Sequence, residues 1–347
     1  MMGNYDLQDL SIMELRGLGQ RFLYASQFDN AELVYKVLLE KAMRSADNAS
    51  LGWGYKSLAE LNRSRGRLAE ALEMALRALE YGKETPESML LGAIYNEMGT
   101  IQMMQGNYPE ATIHYDNALQ KMKIAGNDQG VAVIYGNLGV VHMHQGNQER
   151  AAEAFEKSIE TSQKLNDEVN TARQQTNLGN VYIGQGKYSQ ALDLFQQSLK
   201  ITEKLGFKGQ SGNNYGSIGL VFYRQKRYPE AIPMFETAIA IAQDVGDEPG
   251  LAKRYSNLAE TYFEMGDSSK ALQFFDKDLR ISERIQDWHG AAISHLRIGK
   301  LYIEEVDLEI AQEHLERARA LFAQVGDTKN KEEAERVLKT CQTAQRR

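Results

Sequence analysis

A single cysteine stands in 347 residues. Cys341 alone excludes an internal disulfide and any site built from several thiolates, and such sparing use fits a reducing compartment. Prolines number five, so long stretches run free of helix breakers. No stretch approaches the roughly 18 apolar residues of a membrane span. The opening "MMGNYDLQDLSIMEL" lacks the basic start and apolar centre of a secretory signal. Positive charge is not in excess either: 40 Lys and Arg face 47 Asp and Glu, a net charge of -7. Both signs are scattered, and no basic patch could neutralise a nucleic-acid backbone. These absences point to a cytoplasmic protein that neither enters a membrane nor binds nucleic acid.

The signatures of catalysis are missing too. No Gly-x-Ser-x-Gly, His-Glu-x2-His or calcium-loop pattern occurs. His142 and His144 are two apart, which on a helix sends them to different faces, whereas a zinc pair needs i, i+4. In "NLGNVYIGQGKYSQ", Gly179 and Gly184 have phosphate-loop spacing, but Gln185 stands where the lysine belongs and Lys187 comes too late. Carboxylates are interleaved with lysine and arginine as on solvated helix faces. The sequence implies no enzyme, no metal and no cofactor.

What is present is a period of forty. One column reads Gly19, Ala59, Gly99, Gly139, Gly179, Gly219, Ala259, Gly299, and the position before each is apolar. Twelve residues after each small residue comes alanine, from Ala31 and Ala71 through to Ala311. A search for such periods precedes any other fold argument, because repeats of this length mean stacked arrays. Each row reads as two helices. In the first, apolar residues three or four apart flank a small one, as Tyr255, Leu258 and Tyr262 flank Ala259. The small residue is a notch. The second helix brings alanine and, four residues on, an aromatic to fill it: Ala191 and Phe195, Ala231 and Phe235, Ala271 and Phe275. Gly106, Gly146, Gly186 and Gly266 recur where the first helix must end in a left-handed residue. Pro109 and Pro229 follow, expected at the first helical position, where a missing N–H costs nothing. The second helix is expected to run on through "IAQDVGD" until Gly246 stops it.

The pattern resembles the tetratricopeptide repeat: a bulky residue, Leu-Gly, tyrosine three later, then Ala-x3-Phe, matched by Tyr255, Leu258-Ala259, Tyr262, Ala271 and Phe275. It departs in having forty residues rather than thirty-four and in lacking the proline that ends the second helix. The forty-residue form is similar to Pins-type spindle-orientation adaptors and to bacterial proteins of like repeats. The resemblance implies an all-α, right-handed superhelical solenoid of about eight helix-turn-helix repeats with a C-terminal capping helix. The expected organisation is a flank over 1–11, then repeats at 12–51, 52–91, 92–131, 132–171, 172–211, 212–251, 252–291 and 292–331, and a capping helix over 332–347. Ser11 and Glu14 read as a capping box opening the array. Ala334, Val337, Leu338 and Cys341 form the apolar stripe of the capping helix, which makes Cys341 a buried seam residue.

In the family the first helices line a concave groove, so positions one turn from the core stripe are candidates to face a ligand. They are Asn137, Arg173, Asn177, Asn180, Asn214, Tyr223, Arg224, Asn257, Arg297 and Lys300. Asparagine donates and accepts, so a series can grip an extended peptide backbone, and arginine selects carboxylates. The other reading of the asparagines is that they tie adjacent repeats together. The apolar column Met103, Met143, Ile183, Tyr223, Phe263, Ile303 is either core or a row of side-chain pockets. The chaperone-type carboxylate clamp is incomplete, with Asn96 and Thr100 standing where lysine and asparagine belong, and no acidic tail of the Pins kind follows the repeats. The function expected is a non-enzymatic adaptor holding an extended or helical peptide segment, acidic or amphipathic, of a protein partner. The alternatives are a self-assembling homo-oligomeric scaffold and a peptide-sensing regulator of the Rap type, though Rap arrays carry a separate N-terminal bundle and here the repeats begin by residue 12.

Overall fold

In a computed structural model that describes residues 7–345, every regular element is a helix, seventeen in all among those residues. The first six residues of the flank, "MMGNYD", lie outside the described residues. The chain divides into two compact units, Met1–Val181 and Tyr182–Arg347. The first holds α1 (Ile12–Tyr24), α2 (Phe28–Arg44), α3 (Asn48–Ser64), α4 (Leu68–Lys83), α5 (Ser88–Met104), α6 (Tyr108–Ile124), α7 (Asp128–His144), α8 (Gln148–Lys164) and most of α9 (Glu168–Gly184). The second holds α10 (Tyr188–Lys204), α11 (Lys208–Arg224), α12 (Tyr228–Val245), α13 (Glu248–Glu264), α14 (Ser268–Arg284), α15 (Trp288–Glu304), α16 (Leu308–Gln324) and α17 (Thr328–Gln345).

The backbone repeats every twenty residues. Three residues link most helices: a C-cap, a left-handed residue and an N-cap. Glycine fills nine of the left-handed positions, including Gly106 at φ 79° and Gly246 at φ 69°. Six others carry a side chain, from Ser26 to Val306 at φ 64°. The amide of Gly106 bonds the carbonyl of Met103 and that of Asn107 the carbonyl of Gln102, satisfying carbonyls a helix end would otherwise orphan. Helix starts are capped by side chains: Asp47, Asn127, Asn147, Asp267 and Asp307 each accept from a backbone N–H in the first turn. Ser11 and Glu14 make the capping box reciprocally. Pro109 and Pro229 sit second in their helices, one place later than the sequence suggested; the first four N–H groups are unpaired anyway, so either place is permitted.

The notch is a physical one. α1 packs on α2, α3 on α4, α5 on α6 and α7 on α8 in the first unit; α11 on α12, α13 on α14 and α15 on α16 in the second. A Cβ on Gly139 would lie 2.5 Å from the Phe155 ring, one on Gly99 2.8 Å from Tyr115 and one on Gly219 2.8 Å from Phe235. Tyr35, Tyr115, Phe155, Phe195, Phe235 and Phe275 are fully buried, each contributing about 1.5–3 kcal/mol of apolar burial. The apolar column is intermediate rather than one or the other. Met103, Tyr223, Phe263 and Ile303 pack on core clusters while partly exposed, and Met143 is exposed.

Seams between successive pairs differ in chemistry. Ala78 and Ile94 make an apolar one. Further along the first unit, buried Ser158 and Ser162 of α8 accept from the side-chain amide of Asn170 on α9, at 3.4 and 2.5 Å. In the second unit Asn214 donates to Ser198 at 2.9 Å and Ser211 to Thr202 at 2.9 Å. Between α14 and α15 it is Asp278, buried, that accepts from Ser282 and Ser294. The capping helix begins at Thr328, four residues before the expected 332, and buries Ala334, Leu338 and Cys341. The Cys341 thiol donates to the Leu308 carbonyl at 3.3 Å, and burial pushes its pKa up.

Candidate peptide-binding faces

In the first unit α1, α3, α5 and α7 lie side by side, so residues one turn off the core stripe come to one face. Asn137 on α7 donates to Asn96 on α5 at 2.9 Å. This bond spans neighbouring repeats, as the tying role of the asparagines requires. On α9 four polar side chains are linked. Arg173 donates to the side-chain Oδ1 of Asn170 at 2.6 Å, Gln174 donates to the same oxygen at 3.0 Å, and Asn177 donates to Gln174 at 2.9 Å. Asn170 and Gln174 are buried; Arg173 and Asn180 are exposed and Asn177 is half-buried. Arg173 and Asn177 are therefore held from beneath.

The same face of this unit carries residues that sequence reasoning missed. Arg63 on α3 pairs with Glu97 on α5 at 2.5 Å, and Lys56 with Glu60 at 2.8 Å. Burial pushes the Glu97 carboxyl up, against the pull of Arg63. The guanidinium of Arg16 lies 4.5 Å from the centre of the Trp53 ring. The forty-residue columns contained the signal: Glu97 stands in the column of Asn137 and Glu60 in that of Asn180. A search for asparagine and arginine passes over the carboxylates among them.

In the second unit the predicted residues separate. Asn214 is fully buried, its amide donating to Ser198, and is withdrawn from the ligand-facing series because it points into the seam. Its neighbour Asn213 is exposed instead and accepts from Arg254 of α13 at 2.7 Å. Arg297 pairs with Glu260 and Lys300 with Glu333, each at 2.5 Å. Both cations are thus neutralised by the chain itself. Burial pushes the Glu260 carboxyl up while Arg297 opposes. Tyr223 is half-buried, and burial, then Glu260 and Glu264, drive its phenol up to about 12. Asn257 is half-buried and Arg224 exposed.

Of the histidines, His142 meets Gln145 at 3.1 Å and His144 stacks on Tyr108 with centroids 5.2 Å apart. Among the described residues no three His, Cys, Asp or Glu are placed to hold a metal ion, and no helix is long and apolar enough to cross a membrane.

Stacked helix pairs with a small residue facing an aromatic define an all-α repeat solenoid. The tetratricopeptide repeat profile matches residues 90–164, 130–204, 210–284 and 255–324, more than half of the chain, so the chain belongs to the tetratricopeptide repeat family. No curated protein matches it in sequence. Among solved structures, a signal-transduction ATPase with a tetratricopeptide repeat sensor from Pyrococcus horikoshii is similar with TM-score 0.72 and 18% identity, over 91% of this chain and 49% of that one. The apo form of RapI aligns with TM-score 0.71 and 15% identity, over 96% and 97% of the two chains. A Rap protein complexed with Competence and Sporulation Factor gives 0.62 and 15%, over 97% and 99%. At these identities the likeness is one of fold. It does extend over nearly the whole of both Rap chains, so the distinction drawn from a separate N-terminal bundle does not set this chain apart in fold.

Proposed function

We propose that the chain is a non-enzymatic interaction protein that holds an extended or helical peptide segment of a partner against the faces of its first helices. The observation that carries this reading is the run Arg173, Asn177, Asn180 on α9. Asn180 and Arg173 are exposed, and Asn170 and Gln174 fix Arg173 and Asn177 from below. Amides so held pair with a peptide backbone at reduced entropic cost, and a fixed guanidinium donates to a carboxylate in two-point fashion. Because Arg297 and Lys300 already have carboxylate partners, selection of an acidic residue falls to Arg173 in the first unit and Arg224 in the second. A peptide-sensing role is a second reading, supported by the shared fold with a Rap protein complexed with Competence and Sporulation Factor.

The test is an affinity capture read by mass spectrometry, comparing wild type with a folded, monodisperse Arg173→Ala/Asn177→Ala/Asn180→Ala variant. Loss of one specific partner from the variant supports the reading. An unchanged set of partners, or recovery of the protein itself alone, sinks it and favours a self-assembling scaffold.

A further inference from the structure

Two imidazoles meet inside the C-terminal unit. His295 on α15 and His314 on α16 face each other Nδ1 to Nδ1 at 2.9 Å, with ring centroids 5.0 Å apart. His295 is 8% exposed; His314 is half-buried, and Tyr302 stacks against it. At this separation one Nδ1 donates and the other accepts, so the contact holds one proton and has no room for two. The other nitrogen of His295, Nε2, is buried without a hydrogen-bond partner and lies 3.9 Å from a carboxylate oxygen of Glu283 on α14. The charged groups around the pair are Glu283 and Asp276 from α14 and Glu313, Glu316 and Arg317 from α16. Between these helices is a cleft of about 560 Å³ lined by Glu283, both histidines, Glu313 and Arg317.

The surroundings treat successive protons differently. A first proton goes to His314, the more exposed ring, whose charged form Glu313 and Asp276 favour, and the Nδ1–H···Nδ1 bond survives. A second sets two N–H groups and two positive charges against one another at hydrogen-bonding distance. We propose that the pair is an acid-operated latch between α15 and α16, closed when neutral or singly protonated, and opened by the second proton, which drives His314 from His295 into solvent and widens the cleft. His314 is the ring that leaves, because Glu313 and Asp276 favour its charged form, whereas Arg317 disfavours charge on His295. Burial holds both rings below the ordinary imidazole range, His295 at about 4, so the latch is shut at neutral pH. Elsewhere in the α15–α16 contact Gly299 meets the Leu315 side chain, an apolar approach with no proton to gain.

The experiment is an NMR titration of the imidazoles in the full chain from pH 8 to 3.5. The expected result is loss of the His295–His314 ring-to-ring NOE in the acid limb while the Gly299–Leu315 NOE persists. In His314→Gln, His295 is expected to titrate about one pH unit higher, because the repulsion between the rings is gone. Simultaneous loss of both NOEs makes the event global unfolding and overturns the proposal. Independent titration of the two rings near pH 6.5, readable in the wild type alone should His314→Gln not fold, overturns it as well.

Discussion

Arg297 of α15 reaches across to α13 and closes on Glu260 at 2.5 Å, although Glu260 is largely withdrawn from water. Removing the arginine leaves a carboxylate whose burial already pushes its pKa up without the charge that offsets it. Arg297→Ala is expected to destabilise the chain by about 2 kcal/mol at pH 7, between the exposed and fully buried limits for ion pairs. Glu260→Gln in the same chain should restore most of that loss. Urea denaturation of the double-mutant cycle measures it, and additive effects of the two changes would show that the pair is not coupled.

Two glycines two residues apart on α1 are expected to respond oppositely to alanine. A Cβ on Gly19 would overlap the Tyr35 ring, while one on Gly17 meets nothing within 4 Å. Gly19→Ala should cost about 1–3 kcal/mol through overpacking, and Gly17→Ala should gain about 0.5–1 kcal/mol through helix propensity. Thermal melts of the two variants decide it; equal effects would mean that the notch is not filled by Tyr35.

Asp278 makes stability depend on pH in a direction unusual for a carboxylate. Burial raises its pKa to about 6 despite hydroxyl donors from Ser294 and Ser282. The folded form keeps a proton that the unfolded form gives up near 3.9, so stability falls as pH rises from about 4 to about 6. The ionised carboxylate costs on the order of 2–3 kcal/mol above that window. His295, held at about 4, works the other way, since its contribution is lost as pH falls from about 6.5 through 4. Asp278→Asn should therefore remove one slope and expose the other: its stability should fall on acidification over pH 6.5 to 4 more steeply than wild type. Denaturation midpoints at half-unit pH steps would show parallel curves if Asp278 ionised normally.

Val306 occupies a left-handed position with φ 64° and is 76% exposed, so it gains no packing in return. A β-branched residue there carries about 1–2 kcal/mol of backbone strain. Val306→Gly is expected to raise stability by about 1 kcal/mol, part of the relief being offset by the entropy of glycine in the unfolded chain. A lowered melting temperature would contradict this.

The fold was legible because its periodic signals are local and repeated. Gly99, Gly139, Gly219 and their aromatic partners recur at one spacing, and a backbone approach too close for a Cβ leaves no other residue choice. Gly246 and Cys341 were read correctly for the same kind of reason, one closing α12 and the other filling the seam beside α17. The candidate faces were less legible. A helix position one turn from the core stripe lies near the boundary between face and seam, and a single step of 100° decides which. Asn213 and Asn214 differ by that step, and the burial of the second follows from Ser198 on α10, a partner that no column of first helices contains. Likewise the neutralisation of Arg297 by Glu260 depends on residues 37 apart meeting across helices, which spacing along one helix does not encode.

The unequal seams have a consequence for how the chain finds its order. Cassettes of one length and one packing motif could stack in the wrong succession during synthesis, since an aromatic in any of them fits a notch in another. The Asn170 amide on Ser158 and Ser162, the like Asn214–Ser198 bond and the Asp278–Ser294 contact set these joints apart from the apolar one at Ala78 and Ile94. A cassette docked out of turn would bury Asp278 or Asn214 against alanine and isoleucine, leaving polar groups without partners. At one joint position the cassettes read Ala78, Ala118, Ser158, Ser198, Ala238 and Asp278, so they fall into apolar, hydroxyl and carboxyl kinds that do not substitute for one another without burying an unpaired polar group.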